Sequence, residues 1–76
     1  MKLLKWWEWG NEGVDLYEDH LTWFEKETAV RFASGAACDQ TLDDVLKRGP
    51  YVIGVPADIL TAVTQAVRAI QAKQHP

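Results

Sequence analysis

The chain has 76 residues, 47% of them hydrophobic and 25% charged, and its net charge is −3. This length predicts a single domain over residues 1–76, and the composition is that of an ordinary globular protein. Cys38 is the only cysteine, which excludes an internal disulfide. Together with two histidines it supplies too few ligands for a zinc site of about four. We therefore expect no metal and no cofactor.

The distribution of charge makes nucleic acid a poor partner. Residues 1–27 carry three lysines against seven acids, and residues 28–76 carry five basic residues against four acids. Neither part has the basic surface that binding to a phosphate backbone requires. No apolar run approaches the ~20 residues of a membrane span, so a membrane partner is not expected either. The first residues do not resemble a secretory signal, and a single free thiol favours a cytoplasmic location.

The first part of the chain predicts a small antiparallel β-meander of three to four strands, over about residues 3–33. As a strand, the run from Leu3 to Trp9 would place Trp7 and Trp9 on one face and Trp6 on the other. The sequence GNEG that follows supplies turn residues. A short helix ended by Gly10 remains an alternative for residues 3–9.

Two further strands are indicated by alternation around a tight turn at residues 18–20. Val14 and Leu16 share one side of the first, and Leu21 and Trp23 share one side of the second, with Phe24 opposite. Residues 29–33, which contain Val30 and Phe32, predict one more extended run. Small residues dominate 33–40, which we interpret as a loop.

Two helices are predicted in the second part, at about residues 42–48 and 56–73. Thr41 can cap the first helix, with Asp44 in its first turn, while Gly49 and Pro50 end it. Pro56 fits the first position of the second helix. The apolar residues of that helix fall on one arc: Ile59, Leu60, Val63, Ala66, Val67 and Ile70. Residues 51–55 predict a brief strand or an extended connector, and residues 74–76 a frayed tail.

A run of strands followed by a run of helices is typical of an α+β fold with two layers. We expect Trp7 and Trp9 to lie against the helices, because large aromatic side chains are mostly buried. Trp6 would then lie on the uncovered face of the sheet, beside Tyr17 or Phe24. An exposed aromatic patch of this kind marks a partner surface, so Trp6, Tyr17 and Phe24 are the predicted contact residues.

Catalytic signals are weak. His20 lies beside Glu18 and Asp19, and a carboxylate can orient a histidine base, although a histidine in such a turn is more often simply solvated. Cys38 precedes the first predicted helix, where a thiolate is favoured, but the adjacent Asp39 opposes this effect. Asp39, Asp43 and Asp44 lack the spacing of a calcium loop. No catalytic residue is predicted, and Cys38 is retained as a possible reactive thiol.

The leading hypothesis is a non-catalytic protein-interaction module that forms a homodimer or binds another protein through an exposed aromatic sheet face. A small-ligand or carbohydrate-binding domain using the same aromatics is the alternative. A minimal enzyme or thiol sensor, centred on His20 or Cys38, is the third.

Overall fold

The computed structural model describes residues 2–25 and 37–74. These residues form one sheet and two helices. The elements are β1 (Lys5–Trp9), β2 (Glu12–Leu16), β3 (His20–Glu25), β4 (Ala37–Thr41), α1 (Leu42–Arg48) and α2 (Ala57–Gln74). Every neighbouring pair of strands is antiparallel, and the strand order is β1-β2-β3-β4. The predicted α+β fold, with an antiparallel meander and two helices after it, is confirmed.

The first hairpin joins β1 to β2 through a two-residue turn, Gly10 and Asn11. Gly10 has φ +52°, a left-handed conformation that glycine adopts without the penalty of a side chain. The strand prediction for this segment is therefore confirmed, and the alternative of a helix over residues 3–9 is wrong. The turn is shorter than the sequence GNEG indicated, because Glu12 and Gly13 already pair with β1.

The last strand was not predicted. Residues 33–40 were interpreted as a loop, yet Ala37–Thr41 pair in register with β3, Cys38 opposite Trp23 and Gln40 opposite Leu21. The segment has little intrinsic β propensity, so its strand conformation depends on pairing with β3 and on the contacts of Gln40. The extended run predicted at residues 29–33 lies outside the described residues. Residues 51–55 form no strand, and the extended-connector alternative is the better description.

The first helix has the predicted bounds, whereas α2 begins and ends one residue later than the predicted 56–73. The Thr41 hydroxyl accepts a hydrogen bond from the Asp44 N–H at 3.2 Å, and the Gly49 N–H donates to the Val45 carbonyl at 2.9 Å. Gly49 has φ +80°, which suits the residue that follows a helix. Gln74, assigned to the frayed tail, is the last residue of α2, and its side chain donates to the Glu18 carbonyl at 2.9 Å. Residues 75–76 lie outside the described range.

The core lies between the helices and one face of the sheet. Each of its residues is at most 7% exposed: Val14, Leu16, Leu21, Trp23, Leu42, Val45, Val63 and Val67. Trp7 and Trp9 are half-buried and pack against this cluster, as the alternation of β1 predicted. The Trp23 indole N–H is hydrogen-bonded, whereas the buried Trp9 indole nitrogen has no hydrogen-bond partner among residues 2–25 and 37–74.

Gln40 joins the two layers through a buried carboxamide that is 2% exposed. Its oxygen accepts hydrogen bonds from the Trp23 indole at 2.8 Å and from the Tyr51 N–H at 3.1 Å. Its nitrogen donates to an Asp44 carboxylate oxygen and to the Gly49 carbonyl, each at 2.9 Å. Both acceptor positions and both N–H groups of the amide are thus used. The side chain links β3, β4, α1 and the start of the connector.

Asp44 connects the Gln40 hydrogen bonds to charged groups at the surface. Its carboxylate accepts from Gln40 and lies 3.2 Å from the Arg48 guanidinium. The hydrogen bond from Gln40, followed by that from the Tyr51 hydroxyl, holds the pKa of Asp44 below its ordinary value of 3.8. The same contact with Asp44 raises the pKa of Tyr51. The charged form of Asp44 is therefore the form that the fold favours.

We expect Gln40→Met to lower the free energy of unfolding by about 2–4 kcal/mol, because it leaves buried polar groups without hydrogen-bond partners. Gln71→Met is the matched control. Gln71 donates to Asp43 at an exposed position, so its loss should cost less than about 0.5 kcal/mol. Urea unfolding, followed by tryptophan fluorescence, measures the free energy of unfolding of both variants. Equal costs for the two variants would contradict the role assigned to Gln40.

A second prediction concerns pH. Because its folded-state pKa is lowered, Asp44 contributes stability that is fully present above its unfolded value of about 3.8. This contribution is lost as the pH falls through the lower folded value. The stability difference between wild type and Asp44→Asn should therefore be largest near neutral pH and shrink in acid. In a Gln40→Met background, where the main cause of the shift is removed, the pH dependence of this difference should be weaker. A difference that does not change with pH would contradict the assignment.

Candidate functional site

The three predicted contact residues differ in exposure. On the outer face of the sheet, away from the helices, the register places Trp6, Asp15, Thr22 and Asp39 in one row across the strands. Trp6 is 55% exposed, Tyr17 is half-buried and Phe24 is buried. The outer face therefore does not present the three rings to solvent as one surface.

Phe24 lies in the next row of the outer face, opposite Gly13. A Cβ atom at Gly13 would stand 2.3 Å from Phe24 Cζ and 2.8 Å from the Trp7 carbonyl oxygen. The absence of a side chain at Gly13 thus provides the space in which the Phe24 ring lies, and the ring is only 4% exposed. The expectation that Phe24 is exposed on an uncovered face is therefore wrong.

Tyr17 is engaged within the β2–β3 turn. Its N–H donates to the His20 carbonyl at 2.9 Å, and its ring stacks on the His20 imidazole with centroids 4.6 Å apart. His20 Nδ1 lies 2.6 Å from Asp19 Oδ1, so a carboxylate does orient this histidine. The Asp19 side chain is 64% exposed, so this carboxylate lies largely in solvent.

Cys38 lies on β4. The prediction that residues 33–40 form a loop is therefore wrong for Cys38. Its side chain is an exposed free thiol on the helix-side face and borders an open cleft. That cleft is lined by Glu12, Trp23, Phe24, Glu25, Ala37, Cys38 and Val52. Two carboxylates and apolar side chains do not form the electropositive surroundings that activate a thiol.

The three aspartates considered as a cation site each bind a different partner. Asp39 accepts from the Thr22 hydroxyl at 2.7 Å, Asp43 accepts from Gln71, and Asp44 belongs to the Gln40 network. Within residues 2–25 and 37–74, no group of three or more metal-binding side chains is found.

Five large apolar side chains are exposed among the described residues, and they fall in two places. Leu3, Leu4 and Trp6 form what we call the N-terminal edge, at the start of the sheet, and are 36%, 39% and 55% exposed. Tyr51 and Ile53 lie on the connector between the helices and are 54% and 92% exposed. The sequence predicted the exposure of Trp6. It did not identify the other four (Leu3, Leu4, Tyr51 and Ile53), because apolar residues at the end of a strand or in a connector resemble core residues in sequence.

A groove lies beside the N-terminal edge, on the helix side of the sheet. We call it the α2 groove, and it is lined by Leu4, Lys5, Leu16, Ala66, Ala69, Ile70 and Lys73. It adjoins a second depression bordered by Glu18 and Gln74, which shares Leu4, Ile70 and Lys73. No functional role had been predicted here, because the residues that form the groove come from both ends of the chain.

None of the helices described has the length and apolarity needed to cross a bilayer. No protein-family model, curated protein or solved structure matches the chain significantly. The candidate site therefore depends on geometry alone: the exposed N-terminal edge and the adjoining α2 groove.

Cys38 provides a test of the thiol-sensor hypothesis. We expect a chromogenic disulfide reagent to react with Cys38 in the folded protein no faster than in the protein unfolded in urea, since its surroundings are acidic and apolar. The free thiol in a short peptide with the sequence of residues 36–40 serves as the reference for intrinsic reactivity. A folded-state rate well above that reference would support a reactive thiol and contradict the view that Cys38 is merely exposed.

Proposed function

We propose that the protein is a non-catalytic interaction module that forms a homodimer through its N-terminal edge, with Trp6 at the centre of the contact. We also propose a cytoplasmic location, which the single free thiol supports. The observation that carries the proposal is the concentration of exposed apolar side chains. Three of the five large ones in the described residues fall between Leu3 and Trp6.

Trp6 is the strongest element of this surface. Exposed apolar patches on small proteins mark contact sites, and tryptophan is among the residues that dominate binding energy when a partner covers them. β1 is the first strand in the sheet order, so Trp6 lies on an edge strand of the described sheet.

Size supports self-association. A chain of this length buries a smaller fraction of its surface than larger domains do, and small domains commonly gain stability from oligomerisation. A contact that removes the apolar side chains of the N-terminal edge from water would bury apolar surface in addition to that of the core, and so would stabilise the fold.

A small-ligand or carbohydrate site on the same aromatics receives less support. Stacking on a sugar or another flat ligand requires accessible ring faces. Phe24 lies over Gly13 and Tyr17 stacks on His20, so Trp6 is left as the exposed ring of the three. An enzyme centred on His20 receives less support as well, since the imidazole is stacked on Tyr17 and its carboxylate partner Asp19 is 64% exposed.

Sedimentation velocity at micromolar to high micromolar concentrations tests the homodimer. We expect wild type to dimerise reversibly and Trp6→Thr to weaken the dimer at least about ten-fold, because truncating a central tryptophan commonly costs 2 kcal/mol or more. Threonine retains β propensity and so preserves β1. Ile53→Thr is the matched control, since it removes a side chain that is 92% exposed but lies on the connector.

The control should dimerise as wild type does. A wild-type chain that stays monomeric at high micromolar concentration would refute the homodimer. Dissociation caused by Ile53→Thr but not by Trp6→Thr would place the contact on the connector instead.

A further inference from the structure

We infer that the α2 groove is a second docking surface, which accepts an acidic amphipathic helix from a different protein. It lies on the helix side of the sheet, whereas Trp6 lies on the outer face, so this inference goes beyond the proposed homodimer. Leu4 borders both surfaces, and the experiment below is designed to separate them.

The helix side of the groove is a single stripe. Ala66, Ala69, Ile70 and Lys73 follow the i, i+3, i+4, i+7 spacing, so they line one face of α2 along about 11 Å, or two helical turns. Leu4, which is 39% exposed, and the buried Leu16 also line the groove. This is the length over which a bound helix presents anchors at i, i+3 or i+4, and i+7.

Small side chains make a helix a suitable occupant. Ala66 and Ala69 project little from α2, so the backbone of a partner can approach closely between Leu4 and Ile70. The groove is open to solvent along its length, whereas small-molecule sites usually enclose most of their ligand. An open apolar channel suits a partner that buries one face and keeps the other in water.

The charges at the rim determine which helix fits. Lys5 and Lys73 are the charged residues that line the groove, although the chain as a whole carries −3. The Lys5 ammonium lies 5.9 Å from the centroid of the Trp7 ring, and Lys73 lies in the last turn of α2. Carboxylates that flank the apolar stripe of a partner can pair with both lysines, and lysines on the partner would be repelled.

Glu18 favours one arrangement of charges along a partner helix. It borders the adjoining depression together with Lys73 and Gln74. A partner helix should therefore carry its acids beside Lys5 and Lys73, and no acid at the end that reaches Glu18.

The test uses two designed peptides of about 15 residues, each with leucines at i, i+3, i+4 and i+7. In one peptide the flanking positions are glutamate, and in the other they are lysine, while both peptides carry glutamine in their terminal turns so that no acid reaches Glu18. Isothermal titration calorimetry, with both binding partners unlabelled, measures their affinity for the full chain. We expect the glutamate peptide to bind at least about ten-fold more tightly than the lysine peptide at low salt, and this preference to decrease as salt screens the charges.

Matched variants locate the site. Lys5→Gln combined with Lys73→Gln should weaken binding of the glutamate peptide by about five-fold, whereas Arg68→Gln, on the exposed side of α2, should change it less than two-fold. Ala69→Trp fills the groove and should abolish binding. Ala72→Trp places the same ring on α2 outside the residues that line the groove and should bind as wild type does. Circular dichroism confirms that each variant is folded.

The outcomes separate this inference from the homodimer. Trp6→Thr should bind the glutamate peptide as wild type does, even if it no longer dimerises. Equal binding of the two peptides would overturn the charge selection, and unchanged binding by Ala69→Trp would overturn the location. If neither peptide binds while dimerisation still depends on Trp6, the α2 groove is not a helix site and the proposed function is unaffected.

Discussion

Much of this small fold depends on the hydrogen bonds that the buried Gln40 carboxamide makes. It lies where the sheet, α1 and the connector meet, and each of its polar positions has a partner: Trp23, Tyr51, Asp44 and Gly49. A buried amide with any of these hydrogen bonds missing would lose stability, whereas a fully bonded one fixes the relative position of the elements it joins. Through this side chain, the weakly β-forming segment 37–41 is held as the fourth strand, and α1 is held against the core.

The remainder of the fold follows from the division of side chains between the two faces of the sheet. The helix-side face carries Val14, Leu16 and Trp23, which pack against the buried valines of α2. On the outer face, Phe24 is covered where it lies over Gly13, and Trp6 stays exposed. Burial of the outer face is therefore uneven, and exposed apolar surface is concentrated at the start of the sheet. This concentration, rather than an aromatic platform, supports a role in binding.

The two proposed surfaces have different chemistry and would serve different partners. The N-terminal edge offers apolar side chains with Trp6 at the centre, which suits a symmetric contact with a second copy. The α2 groove combines an apolar floor with two lysines, which suits an acidic helix. A small module that dimerises through one surface and binds an acidic helix through the other would present two equivalent docking grooves, and two grooves increase the apparent affinity for a partner with two helices.

The features that depend on near neighbours in the chain could be predicted from the amino-acid pattern. Thr41 and Gly49 set the ends of α1, and the alternation in β1 separated Trp7 and Trp9 from Trp6. These features follow from local backbone geometry, which a short segment specifies. The remaining features depend on contacts between residues that are far apart in the chain. β4 depends on pairing with β3 and on hydrogen bonds such as the one between Trp23 and Gln40, which are 17 residues apart. The position of the Phe24 ring requires the space left by Gly13 across the hairpin. The α2 groove exists because Leu4 and Ile70, near opposite ends of the chain, lie side by side once the sheet and helix pack, and no local pattern encodes that approach.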